Sequence, residues 1–301
     1  MQRKVDKLRW GIIGFGEAGS TLAAHIGQSL SEPIQVVDPL LNQLPLRDHL
    51  RRRLDRSVFE VIPDIATLVR GCDVVLSLVT PRLTSQAAQE AASAWNGSLY
   101  IDFNSVAPNE KRLMAARFPG SSYVDGSILG SIAGEGSAAP LALAGARAAE
   151  AHSCLSGVQL VASVVGAEVG AASALKMCRS IFMKGLECLF VETLLAADQF
   201  GVTQPVLSSI EETVTSYGLR PLSQMLVTTH AAHCGRRWEE MEGVTHMVEE
   251  IGITARMCQA TRDFLEASFQ SGVTNHFNHK VPDRIDEVIA YFRTYGNSKK
   301  Q

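Results

Sequence analysis

Short apolar runs alternate with longer stretches of helical spacing over the first half of the chain. Mostly apolar runs of this length are typical of strands in a parallel sheet that is covered on both faces. The predicted strands are Leu8–Ile13, Ile34–Asp38, Ser57–Ile62, Asp73–Val79, Ser98–Phe103, Tyr123–Asp125, Leu141–Ala144 and Val158–Ala162. The predicted helices between them are Ala18–Gln28, Ile65–Arg70, Thr84–Ala94, Pro108–Arg117 and Ala146–Leu155. This alternation predicts an α/β fold with a doubly wound parallel sheet.

The second half of the chain has helical patterns only. A long helix is predicted over 167–200, where Gly201 provides a natural C-terminal stop. Further helices are predicted over 205–216, 220–233, 235–251, 256–270 and 284–294. We therefore expect a Rossmann domain over residues 1–164 and an all-α domain over residues 165–301.

A glycine-rich turn joins the first predicted strand to the first predicted helix. Its sequence is Gly14-Phe15-Gly16-Glu17-Ala18-Gly19, which has the G-x-G-x-x-G spacing of a dinucleotide-binding loop. In such a loop the first glycine permits a tight turn, the second lets a pyrophosphate approach the backbone, and the third lets the helix pack on the strand. The strand before the turn and the helix after it make the motif specific, and an unliganded glycine turn is the less favoured interpretation.

Asp38 ends the second predicted strand, 19 residues after Gly19. A carboxylate at this point can accept hydrogen bonds from both adenosine ribose hydroxyls and repels the 2′-phosphate of NADP. The sequence therefore favours NAD over NADP as the cofactor. Arg47 and the run Arg51–Arg53 are counter-evidence, although such a charge run is usually a solvated helix face.

The long helix is apolar almost all round, except for one polar stripe. Its members follow a helical spacing along one side: Lys176, Arg179, Ser180, Lys184 and Glu187. Because buried charges are costly without partners, we expect the stripe to line a cleft that holds water or an anionic ligand. An internal ion pair such as Lys184 with Glu187 is the alternative. The apolar remainder predicts burial between domains or subunits, and hence a homodimer.

Composition narrows the possible partners. The net charge is −3, from 28 basic and 31 acidic residues, and aromatic residues make up only 6% of the chain, so we expect no nucleic-acid partner. No apolar run reaches about 18 residues, so we expect no membrane span. The first residues lack a signal-peptide pattern and the six cysteines are scattered, which favours a cytoplasmic protein with reduced thiols. His230 and His233 lack a third ligand, and no metal site is predicted.

Four segments resemble the β-hydroxyacid dehydrogenase family, which includes 3-hydroxyisobutyrate dehydrogenases and 6-phosphogluconate dehydrogenase. They are the loop Gly14–Gly19, the strand end Asp102-Phe103-Asn104-Ser105-Val106-Ala107-Pro108, the segment Asp125–Ser131 and the segment Gly166–Lys176. The helical half resembles the short C-terminal domain of poorly characterised oxidoreductases that are similar to phosphogluconate dehydrogenase. Residues 236–242 carry this last resemblance.

The resemblance implies roles for particular residues. Lys176 would assist proton transfer at the substrate hydroxyl. The cofactor would be bound by the glycine loop and by side chains at strand ends, namely Gly14, Phe15, Gly16, Glu17, Ala18, Gly19, Asp38, Val79, Thr80 and Asn104. The substrate would be bound by Ser105, Gly130, Ser131, Arg179, Ser180 and Lys184.

The chain also departs from the family pattern. Ser180 stands where the family usually has asparagine, and Leu129 replaces a substrate-binding serine. Arg179 and Met183 occupy positions where 6-phosphogluconate dehydrogenase has histidine and glutamate. Since methionine cannot protonate an enediol, the acid that completes that enzyme's decarboxylation is missing. The identity of the substrate therefore does not carry over.

These observations favour an NAD(P)-dependent dehydrogenase that acts on the CH–OH group of a small hydroxy acid or sugar acid. Two alternatives stay open. One is a reductase of imines or ketones on the same scaffold, which the cationic pair Lys176 and Arg179 disfavours because it fits an anionic substrate. The other is a non-catalytic dinucleotide-binding regulator, which would keep the glycine loop without needing Lys176 free in a cleft. Formation of NADH from a panel of hydroxy acids would discriminate among them.

Overall fold

The structure is a computed structural model that describes residues 7–41 and 58–298. The start of the predicted strand at Ser57, together with Arg47 and Arg51–Arg53, lies outside these described residues. Whether these arginines favour NADP over NAD is therefore not tested by the structure.

An eight-stranded sheet forms in the first half of the described chain, with the strand order β3-β2-β1-β4-β5-β6-β7-β8. The strands are β1 Trp10–Ile13, β2 Ile34–Val37, β3 Phe59–Val61, β4 Val74–Ser77, β5 Leu99–Asp102, β6 Tyr123–Ile128, β7 Leu141–Ala144 and β8 Ala162–Gly166. All neighbours pair in parallel except β6 and β7, which are antiparallel. The predicted doubly wound sheet is confirmed. Its strand order reverses between β1 and β4, where folds of this kind bind ligands at the carboxyl ends of the strands.

The helices that follow these strands are α1 Glu17–Gly27, α2 Ile65–Gly71, α3 Thr84–Ser93, α4 Pro108–Ala115, α5 Ile132–Glu135 and α6 Ala148–Gly157. Apolar side chains cover both faces of the sheet. Adjacent residues of β1 illustrate this, because Ile12 belongs to one buried cluster and Ile13 to the other. This two-faced burial is the reason why the strands are continuous apolar runs.

The last predicted strand, Val158–Ala162, is wrong by four residues. The structure places β8 at Ala162–Gly166. Val158 is fully buried, but its main-chain N–H donates to Leu155 O at the end of α6. Its apolar side chain therefore reflects the packing of a helix end and not a strand.

The second half of the described chain is helical, as predicted. The helices are α7 Ala171–Gln199, α8 Thr203–Tyr217, α9 Leu219–Glu250, α10 Arg256–Gln270, α11 Val273–His276 and α12 Ile285–Ser298. The sequence predicts a break in α9 near Gly235, which is wrong because the helix runs through that residue. A Cβ atom at Gly235 would lie 2.7 Å from the ring of Phe269 in α10. This glycine therefore serves helix packing and does not end a helix.

The chain divides into two compact units between Ile181 and Phe182, inside α7. This division falls later than the boundary expected near residue 164. The reason is that the first turn of α7 is tied to the sheet: Ala172 packs against Ala142 and Ala144. In the second unit, Glu192 of α7 accepts the main-chain N–H groups of Met257 and Cys258, over 2.8 Å each, at the start of α10.

Within the residues that the structure describes, no helix is both long enough and apolar enough to cross a membrane.

Candidate functional site

The glycine loop lies between β1 and α1, and each of its glycines has a distinct geometry. Gly14 has φ +95°, and a Cβ atom there would lie 2.4 Å from the main-chain oxygen of Leu78. A Cβ atom at Gly19 would lie 2.0 Å from Gly14 O, so only glycine lets α1 approach the loop this closely. A Cβ atom at Gly16 would meet no atom within 4 Å. The loop is thus tight on its inner side and open at Gly16, which is the geometry that a bound pyrophosphate requires.

Asp38 follows β2 and binds the glycine loop directly. Its Oδ2 accepts the N–H of Phe15 over 2.7 Å, and its Oδ1 accepts the N–H of Leu40 over 2.9 Å. The ring of Phe15 is fully buried and packs edge-on against Phe59. Of the predicted cofactor residues, Phe15 can therefore contribute no side chain to a ligand, and its N–H already has a partner.

A cavity of about 450 Å³ opens beside the loop at the carboxyl ends of β1 and β2. Its lining is mainly apolar and includes Gly14, Val37, Pro39, Ile65 and Val79. This size and lining are typical of a pocket for a flat organic group, and the pocket adjoins the strand-order reversal.

Asn104 joins the ends of two strands. Its Oδ1 accepts the N–H of Val79 over 2.7 Å, and its Nδ2 donates to Ser77 Oγ over 2.9 Å. The predicted strand ends at Val79, whereas β4 ends at Ser77, so both Val79 and Thr80 lie beyond it. The amide of Asn104 thus holds the turn that carries these two residues.

Lys176 points into a second, smaller cleft of about 270 Å³. Its Nζ donates to Ser105 Oγ over 2.8 Å. The cleft is also lined by Glu17, Ala18, Asn104 and Gly130, so the structure brings together residues from four of the quoted segments. Burial first, and then the positive charge of Lys111, lower the pKa of Lys176 below its usual value. A lysine of this kind is suited to exchange protons with a ligand.

The predicted substrate residues are only partly available for a ligand. The Arg179 guanidinium donates to Leu129 O over 2.7 Å and so lies beside the predicted substrate segment. Ser131 instead caps α5: its Oγ accepts the N–H of Gly134, and its own N–H donates to Glu135 Oε1 over 3.1 Å. The main-chain N–H of Ser131 is therefore already paired, whereas its hydroxyl hydrogen is not used in these two bonds. The role of Ser131 in substrate binding stays a prediction.

Two further members of the predicted stripe differ in exposure. Ser180 is half-buried, whereas Lys184 is exposed and belongs to the second compact unit. Within the first unit the structure therefore groups Lys176 with Ser105 and holds Arg179 at the substrate segment. The role of Lys184 stays a prediction.

A buried ionic cluster lies beneath this site, and the sequence analysis did not identify it. Lys111 of α4 is fully buried, with its Nζ 3.0 Å from Asp102 Oδ1 and 3.5 Å from Asp125 Oδ1. Tyr123 donates to Asp102 Oδ2 over 2.5 Å, and Ser173 Oγ donates to Asp125 Oδ1 over 2.6 Å. Burial raises the pKa of Tyr123 well above its usual value, which keeps the phenol a donor.

The sequence carried only part of the signal for this cluster. Asp102 and Asp125 each lie in an apolar strand-like segment, which marks them as candidates for a buried role. Lys111 gives no such sign, because a lysine in a short polar helix is normally solvated. Only the packing of α4 against the ends of β5 and β6 identifies it.

His230 and His233 lie one helical turn apart on α9. His230 is half-buried beside the rings of Phe264 and Phe292, and burial lowers its pKa. Within residues 7–41 and 58–298, no group of three or more histidine, cysteine, aspartate or glutamate side chains is placed to hold a metal ion.

Comparison with known proteins gives one family match. Residues 197–268 match a domain of unknown function, DUF1932, which lies in the helical half of the chain. An uncharacterized 28.5 kDa protein encoded in the 7S RNA 5′ region of Methanothermus fervidus is 26% identical over 259 residues. That alignment covers 86% of this chain and 98% of the archaeal protein.

Solved structures confirm the predicted fold. The conserved protein MTH1747, of unknown function and described as structurally similar to 3-hydroxyacid dehydrogenases, has a TM-score of 0.61 and 29% identity. The match covers 87% of this chain and 98% of MTH1747. A variant imine reductase from Myxococcus stipitatus in complex with NAD⁺ has a TM-score of 0.71 at 18% identity, covering 95% and 99% of the two chains. An NADP⁺ complex of the imine reductase from that organism scores 0.67 at 19% identity, covering 88% and 96%. Because the two imine reductases are only 18% and 19% identical to this chain, the similarity to them concerns the fold alone.

Proposed function

We propose that this chain, which carries a DUF1932 domain and has the fold of the 3-hydroxyacid dehydrogenase-like proteins, is a nicotinamide-dependent oxidoreductase. Its reaction is hydride transfer between the cofactor and the CH–OH carbon of a small anionic substrate. The observation that carries this proposal is the Lys176–Ser105 pair, which lies in a cleft beside the glycine loop.

The residues present fit a dinucleotide. Gly16 leaves open space where a pyrophosphate would approach the N-terminus of α1, and the adjoining cavity can take the adenosine half. Asp38 lies at the end of β2, where its carboxylate would accept hydrogen bonds from the ribose hydroxyls and repel a 2′-phosphate. We therefore propose NAD as the preferred cofactor, with NADP as the alternative. Both forms are bound by imine reductases of similar fold.

The chain contributes orientation and proton transfer, while the nicotinamide, when bound, supplies the hydride acceptor or donor. Lys176 Nζ takes the proton of the substrate hydroxyl in the oxidation direction and returns it in the reduction direction. Ser105 Oγ accepts from Lys176 Nζ and so holds the amine in one place. Holding a reacting group in a fixed position is one way in which a protein raises the rate of such a step.

Charge in the cleft bears on the class of substrate. Arg179, which lies beside the predicted substrate segment, is cationic and favours a carboxylate on the substrate. Two acidic groups disfavour it: Glu17 lines the cleft and Glu135 lies beside Gly130. We propose that the substrate carboxylate binds on the side of Arg179 and away from Glu135. A small hydroxy acid or sugar acid meets this requirement.

Reduction of imines is the second candidate, and the fold shared with imine reductases favours it. It predicts turnover of neutral ketone and amine mixtures with a reduced cofactor. A non-catalytic regulator, the third possibility, would bind the dinucleotide and turn nothing over.

The test is a substrate panel with the purified protein. Hydroxy acids and sugar acids are offered with NAD or NADP, and cyclic imines or ketone and amine pairs with NADH or NADPH, and the absorbance of reduced nicotinamide is followed. The proposal expects oxidation of at least one hydroxy acid, faster with NAD. Turnover confined to imines would favour the second candidate, and tight dinucleotide binding without any turnover would favour the regulator.

The protein is further proposed to act as a homodimer in the cytoplasm. Apolar side chains along α7 are exposed, including those of Ile181, Phe182 and Leu195, and a second copy of the chain is the occupant that we propose for this face. All six cysteines are free, which fits a reducing compartment.

A further inference from the structure

Two segments of the chain carry the proposed reacting pair, and each segment is held by a buried carboxylate. Ser105 lies in the turn after β5, where Asp102 Oδ1 accepts the N–H of Asn104 over 2.8 Å. Lys176 lies in the first turns of α7, where Asp125 Oδ2 accepts the N–H groups of Gly170 and Ser173 over 2.9 and 3.0 Å. Asp125 thus caps α7 from a neighbouring strand.

Lys111 lies between the two carboxylates. Its Nζ donates to the main-chain oxygen of Asp102 over 2.6 Å and forms ion pairs with the carboxylates of Asp102 and Asp125. All three side chains are 0% exposed. One ammonium group therefore joins the segment that carries Ser105 to the helix that carries Lys176.

We propose that Lys111 is a positioning residue for the Lys176–Ser105 site, joining the turn after β5 to the start of α7 so that Lys176 Nζ stays on Ser105 Oγ. This inference rests on the proposed function, since it gives Lys111 a role in the same reaction. Lys111 does not itself line the cleft, and its effect passes through Asp102 and Asp125.

A second contact supports the same coupling between α4 and α7. Gly170 has φ +102°, and a Cβ atom there would lie 3.2 Å from Pro108 O and 3.3 Å from Arg112 Cζ. The residue before α7 is therefore pressed directly onto α4, the helix that carries Lys111. Motion of Lys111 relative to Asp125 would move the start of α7, since the two elements touch at both points.

A buried ionic bridge is an expensive way to connect two segments. Well-packed apolar side chains often stabilise a fold as well as a buried ion pair does, because removing charges from water costs free energy. What the ionic bridge adds is directional bonds that fix one arrangement, and a positive charge close to Lys176. Both matter for a lysine that must exchange a proton at a defined place.

The charged groups around Lys176 come from several elements. Glu17 of α1 lines the same cleft, Arg179 lies one turn further along α7, and Lys111 of α4 lies below with its two carboxylates. Burial is the larger cause of the lowered pKa of Lys176, and the charge of Lys111 is the second. Removal of that charge, together with looser packing and more water, should therefore raise the pKa of Lys176.

The test replaces Lys111 with methionine, which has a similar length and no charge. Met114→Ala on the same helix is the matched control. Met114 is also buried, but it takes no part in the hydrogen bonds and ion pairs of Asp102 and Asp125 described above. Thermal unfolding first establishes that both variants are folded. Competitive acetylation read by mass spectrometry then gives the pKa of Lys176, with exposed Lys280 as the internal reference. Hydrogen exchange reports on the N–H groups of Gly170 and Ser173.

The proposal expects three results for Lys111→Met that Met114→Ala does not share. The pKa of Lys176 rises toward the ordinary value of a lysine side chain. The N–H groups of Gly170 and Ser173 exchange on the order of 10-fold faster, because the cap of α7 opens more often. Turnover of the substrate found by the panel falls about 10²-fold, while the dissociation constant for the dinucleotide stays the same, as expected for a misplaced reacting group.

Some outcomes would overturn the proposal. Lys111 has no positioning role if the folded Lys111→Met variant leaves both the pKa of Lys176 and the hydrogen exchange at Gly170 unchanged. If the methionine variant does not fold, Lys111→Gln keeps N–H donors for Asp102 and is judged by the same results.

The labelling and exchange measurements need neither cofactor nor substrate. A protein without redox activity in which Lys111→Met still changes Lys176 would contradict the proposed function and leave the coupling intact. An active enzyme whose Lys176 is insensitive to Lys111→Met would contradict the coupling alone.

Discussion

At the scale of single residues, the proposed chemistry depends on one side chain and its surroundings. A free lysine has a pKa of about 10.4 and is almost fully protonated near neutral pH, so it is a poor proton acceptor there. Lys176 is half-buried and close to Lys111, and both circumstances lower its pKa. The neutral fraction of Lys176 therefore increases with pH over a range that lies below the ordinary titration of lysine.

We predict that oxidation of the substrate accelerates as pH rises through this range and levels off once Lys176 is neutral. Lys176→Ala should lower the turnover number by ~10²–10⁴-fold, which is typical for loss of a general base. Dinucleotide affinity should stay nearly unchanged, since the loop Gly14–Gly19 is untouched. Steady-state kinetics against pH and cofactor titration check this, with Lys280→Ala as the control at an exposed lysine. A Lys176→Ala variant with near-wild-type turnover would show that Lys176 is not the proton acceptor.

Asp38 supports a second prediction at this scale. Asp38→Ser should weaken NAD binding about 10-fold, because it removes a charged acceptor for the ribose hydroxyls. The affinity for NADP should increase relative to that for NAD, because the carboxylate that repels the 2′-phosphate is gone. The serine also loses the hydrogen bond to Phe15 N, so some loss of thermal stability is expected.

Asp38→Asn is the matched control for that change. The side-chain oxygen of asparagine can still accept the N–H of Phe15, but the negative charge is gone. We therefore expect the preference for NAD over NADP to weaken with a smaller loss of thermal stability. Fluorescence titration with both cofactors separates the two effects. A wild-type protein that already binds NADP much more tightly than NAD would contradict this interpretation of Asp38.

At the scale of elements, two glycines of the helical half have different structural roles: one ends a helix and the other allows two helices to pack closely. Gly201 follows the end of α7 with φ +68°, as a helix terminator should. Gly235 lies within α9 and faces the ring of Phe269. The sequence alone could not distinguish them, because the difference depends on which neighbouring helix packs at that point.

This difference yields a prediction on stability. Gly235→Ala should destabilise the protein by about 1–3 kcal/mol, since the added methyl group meets the Phe269 ring and overpacking of this kind outweighs helix propensity. Gly243→Ala on the same helix should stabilise it by up to about 1 kcal/mol, because a Cβ atom there meets no atom within 4 Å. Denaturant unfolding of both variants provides the comparison. Equal effects of the two substitutions would contradict the packing argument.

At the scale of the whole molecule, α7 carries several exposed large apolar side chains, among them Ile181, Phe182 and Leu195. A helix of 29 residues with exposed large apolar side chains is not expected on a lone chain in water. Exposed valines of β8, at the edge of the sheet, add to the apolar surface of the first unit. A second copy of the chain would cover such a surface.

We predict a homodimer in solution that Ile181→Asp converts to monomer. Ile181 is 77% exposed, so aspartate there should not disturb the fold of one chain but would place a charge in the proposed interface. Leu113→Asp is the control, because Leu113 is a 61% exposed leucine on α4. Light scattering coupled to size exclusion gives the mass of each variant. A monomeric wild-type protein, or an Ile181→Asp variant that stays dimeric, would contradict the prediction.

The sequence by itself determined the alternation of strands and helices and the glycine loop. These features depend on local physics: a continuous apolar run favours a doubly covered strand, and glycine alone permits the turn at Gly14. The role of Lys176 is implied by the family resemblance and stays a proposal. The resemblance to a known family rests on local segments of this kind, which is why it predicts the fold without tertiary information.

Tertiary structure alone decided which polar groups are free. The main-chain N–H of Ser131 is paired with Glu135, and its Oγ accepts from Gly134 in α5. The ring of Phe15 is buried, and Lys111 is fully buried between two carboxylates although it lies in a short polar helix. Each of these outcomes depends on partners far away in the chain. Hydrogen bonding and desolvation are set by neighbours in space, and a sequence pattern reports only neighbours along the chain.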